Sequence, residues 1–164
     1  LSLFVLFALT CPAQSDLLRA GAASVDMTPT VFPIQLRSGK SNYVHDPLHV
    51  RAVAFQRGEG RAVICLIDAI GIGRDMSDLA KARAAEKTGW KTEEMLICAT
   101  HTHTAPKGGE GTPGKEAYEK LKHEKLEEAI VKAIHPCNRH GSASVPTRSR
   151  AKCATGVGSS NPVP

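Results

Sequence analysis

A high aromatic content, a long apolar span, a cysteine framework and a charge excess in the body of the chain are all missing from this sequence. Only 4% of its 164 residues are aromatic, against 41% hydrophobic and 23% charged, which suits one ordinary soluble domain with one small core. The five cysteines form no CxxC pair and no disulfide framework. Cys65 and Cys98 lie within apolar runs, where a buried free thiol is the usual state. No apolar run reaches the roughly 20 residues that a transmembrane helix needs. The formal charge of +5 would suit nucleic acid or an anionic membrane, but its position argues otherwise. Arg139, Arg148, Arg150 and Lys152 stand in residues 136–164 with no acidic residue beside them. In residues 1–135, 17 basic residues therefore meet all 16 acidic ones, and the body is nearly neutral. Nucleic acid is not an expected partner. No internal repeat is visible.

The two ends differ from the middle. Residues 1–13 (LSLFVLFALTCPA) carry no charge and an apolar run of about ten residues, the length of a secretory-signal core. The reading is a signal peptide lacking its usual Met and Lys/Arg start, cleaved near Ala13-Gln14, so that the mature protein is exported to the periplasm or outside. A buried N-terminal strand or helix is the alternative. Residues 136–164 contain no Ile, Leu, Met, Phe, Trp or Tyr and are dense in Gly, Pro, Ser and Arg, so they are expected to be disordered. A natural tail and a lost reading frame after Ile134 both fit.

Between the ends, residues 17–27 read as a small-residue strand closed by Thr28-Pro29, and residues 30–43, broken by Pro33, Gly39 and Asn42, as a loop. Residues 49–56 alternate polar and apolar, turn through Arg57-Gly58-Glu59-Gly60, and return in residues 61–67 (RAVICLI). That run's continuous apolar character predicts a strand covered on both faces. Residues 75–87 place Met76, Leu79, Ala80 and Ala84 on one helical face and stop at Gly89. Residues 95–99 form another buried strand. After a Gly/Pro loop, residues 115–134 form the longest helix, with Leu126, Ala129, Ile130, Ala133 and Ile134 on one stripe and Pro136 ending it. Strand, helix, strand, helix from Arg61 onward is a βαβα unit, so the class is α/β with a mixed sheet and crossover helices, an incomplete domain over residues 16–135.

The sharpest chemical feature is Ala99-Thr100-His101-Thr102-His103-Thr104-Ala105-Pro106, directly after the last strand. In extended backbone His101 and His103 would point to the same side, with Cα atoms roughly 6 to 7 Å apart, and converge on one ion. Ligands of α/β sheets also gather at the carboxyl ends of strands. The alternative is a pair of partly exposed loop histidines bonded to the flanking threonines. HxH alone is unspecific. A metallo-β-lactamase would continue with Asp and His where Ala105 and Pro106 stand, and an amidohydrolase barrel places the motif on its first strand. His45 and His49 flank Pro47, which makes them a loop His and a strand His rather than a helical metal pair. Asp68 ends its strand at the same edge, where a carboxylate could orient a metal-bound His or simply accept hydrogen bonds in a turn. Gly71-Ile72-Gly73 lacks the third glycine of a dinucleotide loop.

Val25-Asp26-Met27-Thr28-Pro29, the segment from His45 to Ala52, the strand ending in Asp68 and, above all, the Ala99–Pro106 string together resemble the N-terminal domain of the neutral/alkaline, non-lysosomal ceramidases. The likeness runs over roughly residues 18–134. It implies a zinc amidase in which the ion activates a water that attacks the amide of N-acylsphingosine or a similar lipid amide, possibly at a membrane surface. By position His101 matches the family's first motif His, a zinc ligand, and His103 the second, which assists at the reacting amide. The family completes its zinc shell with a later His, Glu and Tyr that have no match here. Neither Tyr43 nor Tyr118 corresponds to that Tyr. The resemblance therefore implies an incomplete zinc site and an inactive fragment. A noncatalytic exported α/β domain, a metallohydrolase of different substrate, and a lipid-surface binder acting through the basic tail remain the competing readings.

Overall fold

A computed structural model describes residues 17–106 and 114–138. The expected signal segment and residues 139–164 of the expected tail lie outside the described residues.

The observed order is β1 (Arg19–Asp26), β2 (Ile34–Leu36), β3 (Gly39–Ser41), β4 (His49–Arg57), β5 (Gly60–Ile67), α1 (Arg74–Thr88), a single 3₁₀ turn (Thr92–Glu94), β6 (Met95–Ala99) and α2 (Gly114–Asn138). Four strands form a mixed sheet in the order β1-β4-β5-β6. The neighbours β1/β4 and β4/β5 are antiparallel, while β5/β6 are parallel, joined by the α1 crossover. The expected α/β class and mixed sheet are observed. Gly58, in the left-handed region at φ 55°, makes the β4–β5 hairpin turn, and Gly89 at φ 72° ends α1 by donating its N–H to Ala85.

Alternation along the strands sends Val25, Val50, Ala52, Ala54, Val63, Cys65, Ile67, Met95 and Ile97 to one face. Beneath it lie Ala80 and Ala84 of α1 and Leu126, Ala129, Ile130, Ala133 and Ile134 of α2. Gly21 allows the closest approach: a Cβ there would sit 2.1 Å from the carbonyl oxygen of Ala133. Trp90 closes the far end, its ring buried, its Nε1–H donating to Asn138 and the Arg61 guanidinium over its face.

Four expectations are corrected. Residues 30–43 are not only loop, since β2 and β3 pair antiparallel as a separate hairpin. Leu79 is exposed rather than buried, because the face of α1 that meets α2 is the narrower Ala80/Ala84 stripe. Pro136 does not end α2. The helix runs on to Asn138 because proline forfeits only one donor, and the last turn is fastened by Arg19 donating to the Cys137 carbonyl, Cys137 Sγ donating to Ala54 and Trp90 donating to Asn138. Finally, β5 is covered on one face only among the described residues: Ile64 is exposed on the other, flanked by Val53 and Leu96.

Candidate active site

The carboxyl ends of β5 and β6 meet at one edge. Ile67, the last residue of β5, accepts from both Ala69 and Thr100 through its carbonyl, which ties the chain leaving β5 to the chain leaving β6. Beyond Thr100 the backbone turns. His101 takes φ 61°, a left-handed conformation uncommon for any residue with a side chain, although His tolerates it better than most. The expected extended geometry for the two histidines is thus corrected: β6 ends at Ala99 and the motif lies in a turn. The rings nevertheless meet, with centroids 4.9 Å apart and planes at 72°, an edge-to-face contact between two exposed imidazoles.

His101 Nδ1 lies 2.7 Å from the carbonyl oxygen of Ile70. A carbonyl only accepts, so the ring proton sits on Nδ1, and the neutral imidazole keeps its free lone pair on Nε2. Backbone carbonyls fix metal-ligating imidazoles in this way. Asp68 does not serve His101. Its Oδ2 accepts from the backbone N–H of His49 at 2.9 Å and from the Arg51 guanidinium at 2.8 Å, so it serves as an acceptor for the neighbouring strand β4 rather than for the turn that follows it. The threonines do not hold the imidazoles either; Thr102 and Thr104 share a hydrogen bond of 2.9 Å with each other.

His45 and His49 part as the spacing implied. His49 begins β4, while His45 lies in the preceding loop and pairs with Asp46 at 2.9 Å, both side chains exposed. Nearby, two buried polar atoms find no partner among the described residues, His49 Nδ1 and the hydroxyl of Tyr118. Burial, with lesser contributions from Glu119 and Asp68, pushes the Tyr118 phenol far above its usual range, so it stays protonated.

His101 fits the role of one zinc ligand. The set as a whole falls short, because no group of three His, Cys, Asp or Glu side chains among the described residues could hold a metal ion.

A cleft of about 280 Å³ opens at the same edge, bounded by the β2–β3 hairpin, the residues leading into β4, and Thr104 and Pro106 of the histidine loop. Sequence reasoning missed it, although Phe32, Ile34 and Leu36 alternate with polar or turn residues in strand fashion. No described helix is long and apolar enough to cross a membrane.

Solved structures share this fold. A neutral ceramidase from Pseudomonas aeruginosa superposes with a TM-score of 0.63 at 19% identity, over 73% of this chain and 22% of its own. A second, described as a ceramidase complexed with C2, gives a TM-score of 0.56 at 19% identity, over 73% of this chain and 20% of its own. This chain spans about a fifth of the length of the structures it matches. No protein-family profile and no curated protein matches it.

Proposed function

We propose, from the ceramidase-like fold, that this chain is part of an exported, zinc-dependent amidohydrolase acting on N-acylsphingosine or a similar lipid amide at a membrane surface. In this reading His101 supplies one zinc ligand through Nε2, and His103 assists at the reacting amide, passing a proton to the nitrogen that leaves as the amine. A zinc ion held by a completed shell would supply an activated water. The observation that carries the reading is the Ile70 carbonyl holding Nδ1 of His101, which leaves Nε2 free at the carboxyl tip of β6 beside a second imidazole.

The chain by itself is expected to bind zinc weakly and to hydrolyse no amide, since it offers two imidazoles where a catalytic zinc needs about three protein ligands. The shortage of ligands among the described residues favours, as a second reading, a noncatalytic α/β domain. The test is a polypeptide carrying this segment and continuing to ceramidase length, assayed with N-acylsphingosine. His101→Ala should abolish both zinc content and hydrolysis. His103→Ala should retain zinc and lower the rate about 10²-fold or more. Unchanged zinc and unchanged hydrolysis in His101→Ala would remove the enzyme reading.

A further inference from the structure

We propose that His101 and His103 bind zinc between two copies of this chain, each copy giving both imidazoles to one tetrahedral ion. In the amidohydrolase reading His101 alone is a ligand and the rest of the shell comes from a longer polypeptide; the bridge needs only residues of this chain. Two imidazoles on one tetrahedral zinc, with Zn–N bonds of about 2.0–2.1 Å, hold their ring centroids about 5 Å apart. The two rings stand 4.9 Å apart with planes at 72°, so the turn has already brought them to that spacing. His101 is also fixed in rotation and tautomer, since its Nδ1–H is spent on the Ile70 carbonyl and the lone pair is left on Nε2.

Half a shell is all that one copy offers. Among the described residues no third His, Cys, Asp or Glu completes a metal-holding group with the pair. His45, which lines the same cleft as Thr104 and Pro106, is paired with Asp46, and Thr102 and Thr104 are bonded to each other. A second copy supplies what is missing. Both imidazoles are exposed, on a turn beyond the last residue of β6, where another molecule can reach them. Residues 99–106 carry no acidic or basic side chain besides the two imidazoles, so two such turns meet without repulsion between fixed like charges. A two-fold axis through the ion relates the copies and closes the assembly at a dimer, because each pair meets its own image and no donor is left for a third chain. Four nitrogen donors make the closed shell that zinc adopts in structural sites.

The test is sedimentation velocity on the full chain, stripped of metal, kept reduced and titrated with zinc chloride. Without metal the chain should sediment as a monomer. The dimer should peak at one zinc per two chains and decline as zinc passes one per chain, because each pair then takes an ion of its own. His103→Ala and His101→Asn should each abolish the zinc-dependent dimer with unchanged circular dichroism; Asn suits the left-handed backbone at position 101. Should one variant unfold, the other carries the test. His45→Ala should keep the dimer, and so should His140→Ala combined with Cys153→Ser, which removes zinc donors elsewhere in the chain. A dimer that persists in EDTA, one that survives the loss of either imidazole, or one lost with His140 and Cys153 overturns the bridge. Zinc held by monomers and lost only in His101→Asn overturns it too, yet leaves the amidohydrolase reading standing. A zinc dimer lost in both imidazole variants upholds the bridge even if the longer polypeptide cleaves no amide.

Discussion

On the helix side of the sheet Ala52, Ala54, Val63, Cys65 and Ile67 are at most 1% exposed, whereas on the opposite side Val53, Phe55, Ile64 and Leu96 are 37 to 57% exposed. The second set is as apolar as the first. It is also ordered, since Ala22, Val53, Ile64 and Leu96 form one row directly across all four strands. An antiparallel sheet often leaves one face to water, but that face then carries polar residues; strands with apolar residues on both faces are the mark of a sheet covered twice. The difference separates what a side chain is suited to from what it meets: among the described residues, the same four strands hold a packed core on one face and an exposed apolar surface on the other.

Substitutions on the two faces should therefore differ sharply. The largest effect is expected for Gly21→Ala, whose methyl group would fall on the Ala133 carbonyl and push α2 off β1. It should cost about 3 kcal/mol or more, lowering Tm by more than ~10 °C, while Ala22→Val next door on the open face should leave Tm nearly unchanged. Next, Ile130→Ala in the buried helix face should cost about 3 kcal/mol and Ile64→Ala less than about 1 kcal/mol, both read from urea midpoints at constant slope. Equal costs would mean that the open face is covered in solution.

The two strand thiols sharpen the contrast kinetically. Burial pushes the Cys65 thiol up to about 12, so it should resist alkylation until the chain unfolds. Half-buried Cys98, on the open side of β6, should react in the native state, with peptide mapping by mass spectrometry to separate the two. The smallest effect concerns Glu128 on α2, whose carboxyl is held below the usual 4.5 by hydrogen bonds from Lys125 and Lys132. The unfolded chain takes up that proton first as pH falls, so the contribution is complete above about pH 4.5 and is lost as pH drops through the folded value. The group is solvated, so Glu128→Gln should change stability by a few tenths of a kcal/mol, and only above that range.

Much of the fold was legible because long elements repeat their signal. Alternation marked β4, a continuous apolar run marked β5, and a helical stripe from Leu126 to Ile134 marked α2. The β2–β3 hairpin was obscured because three-residue strands barely alternate before Pro33 and Gly39 interrupt, even though Phe32, Ile34 and Leu36 keep the period of two. That β5 is uncovered on one face among the described residues could not be read either, since apolar residues report affinity for a core and not whether the core is present. At the site, the histidine motif does bring two imidazoles together, but not by the route expected. The imidazoles meet through a left-handed turn at His101 rather than along an extended strand, and the group that orients His101 is a backbone carbonyl 31 residues earlier in the chain, which has no side-chain signature.

The claim beneath the functional reading is that His101 is held ready with its Nε2 open to a ligand. Long-range ¹⁵N–¹H correlation spectra of the imidazoles in the full chain test it directly. The account predicts the Nδ1–H tautomer for His101 in the absence of metal, and on zinc addition a shift confined to its Nε2 resonance. A neutral Nε2–H ring, or zinc added without any change at His101, would contradict it.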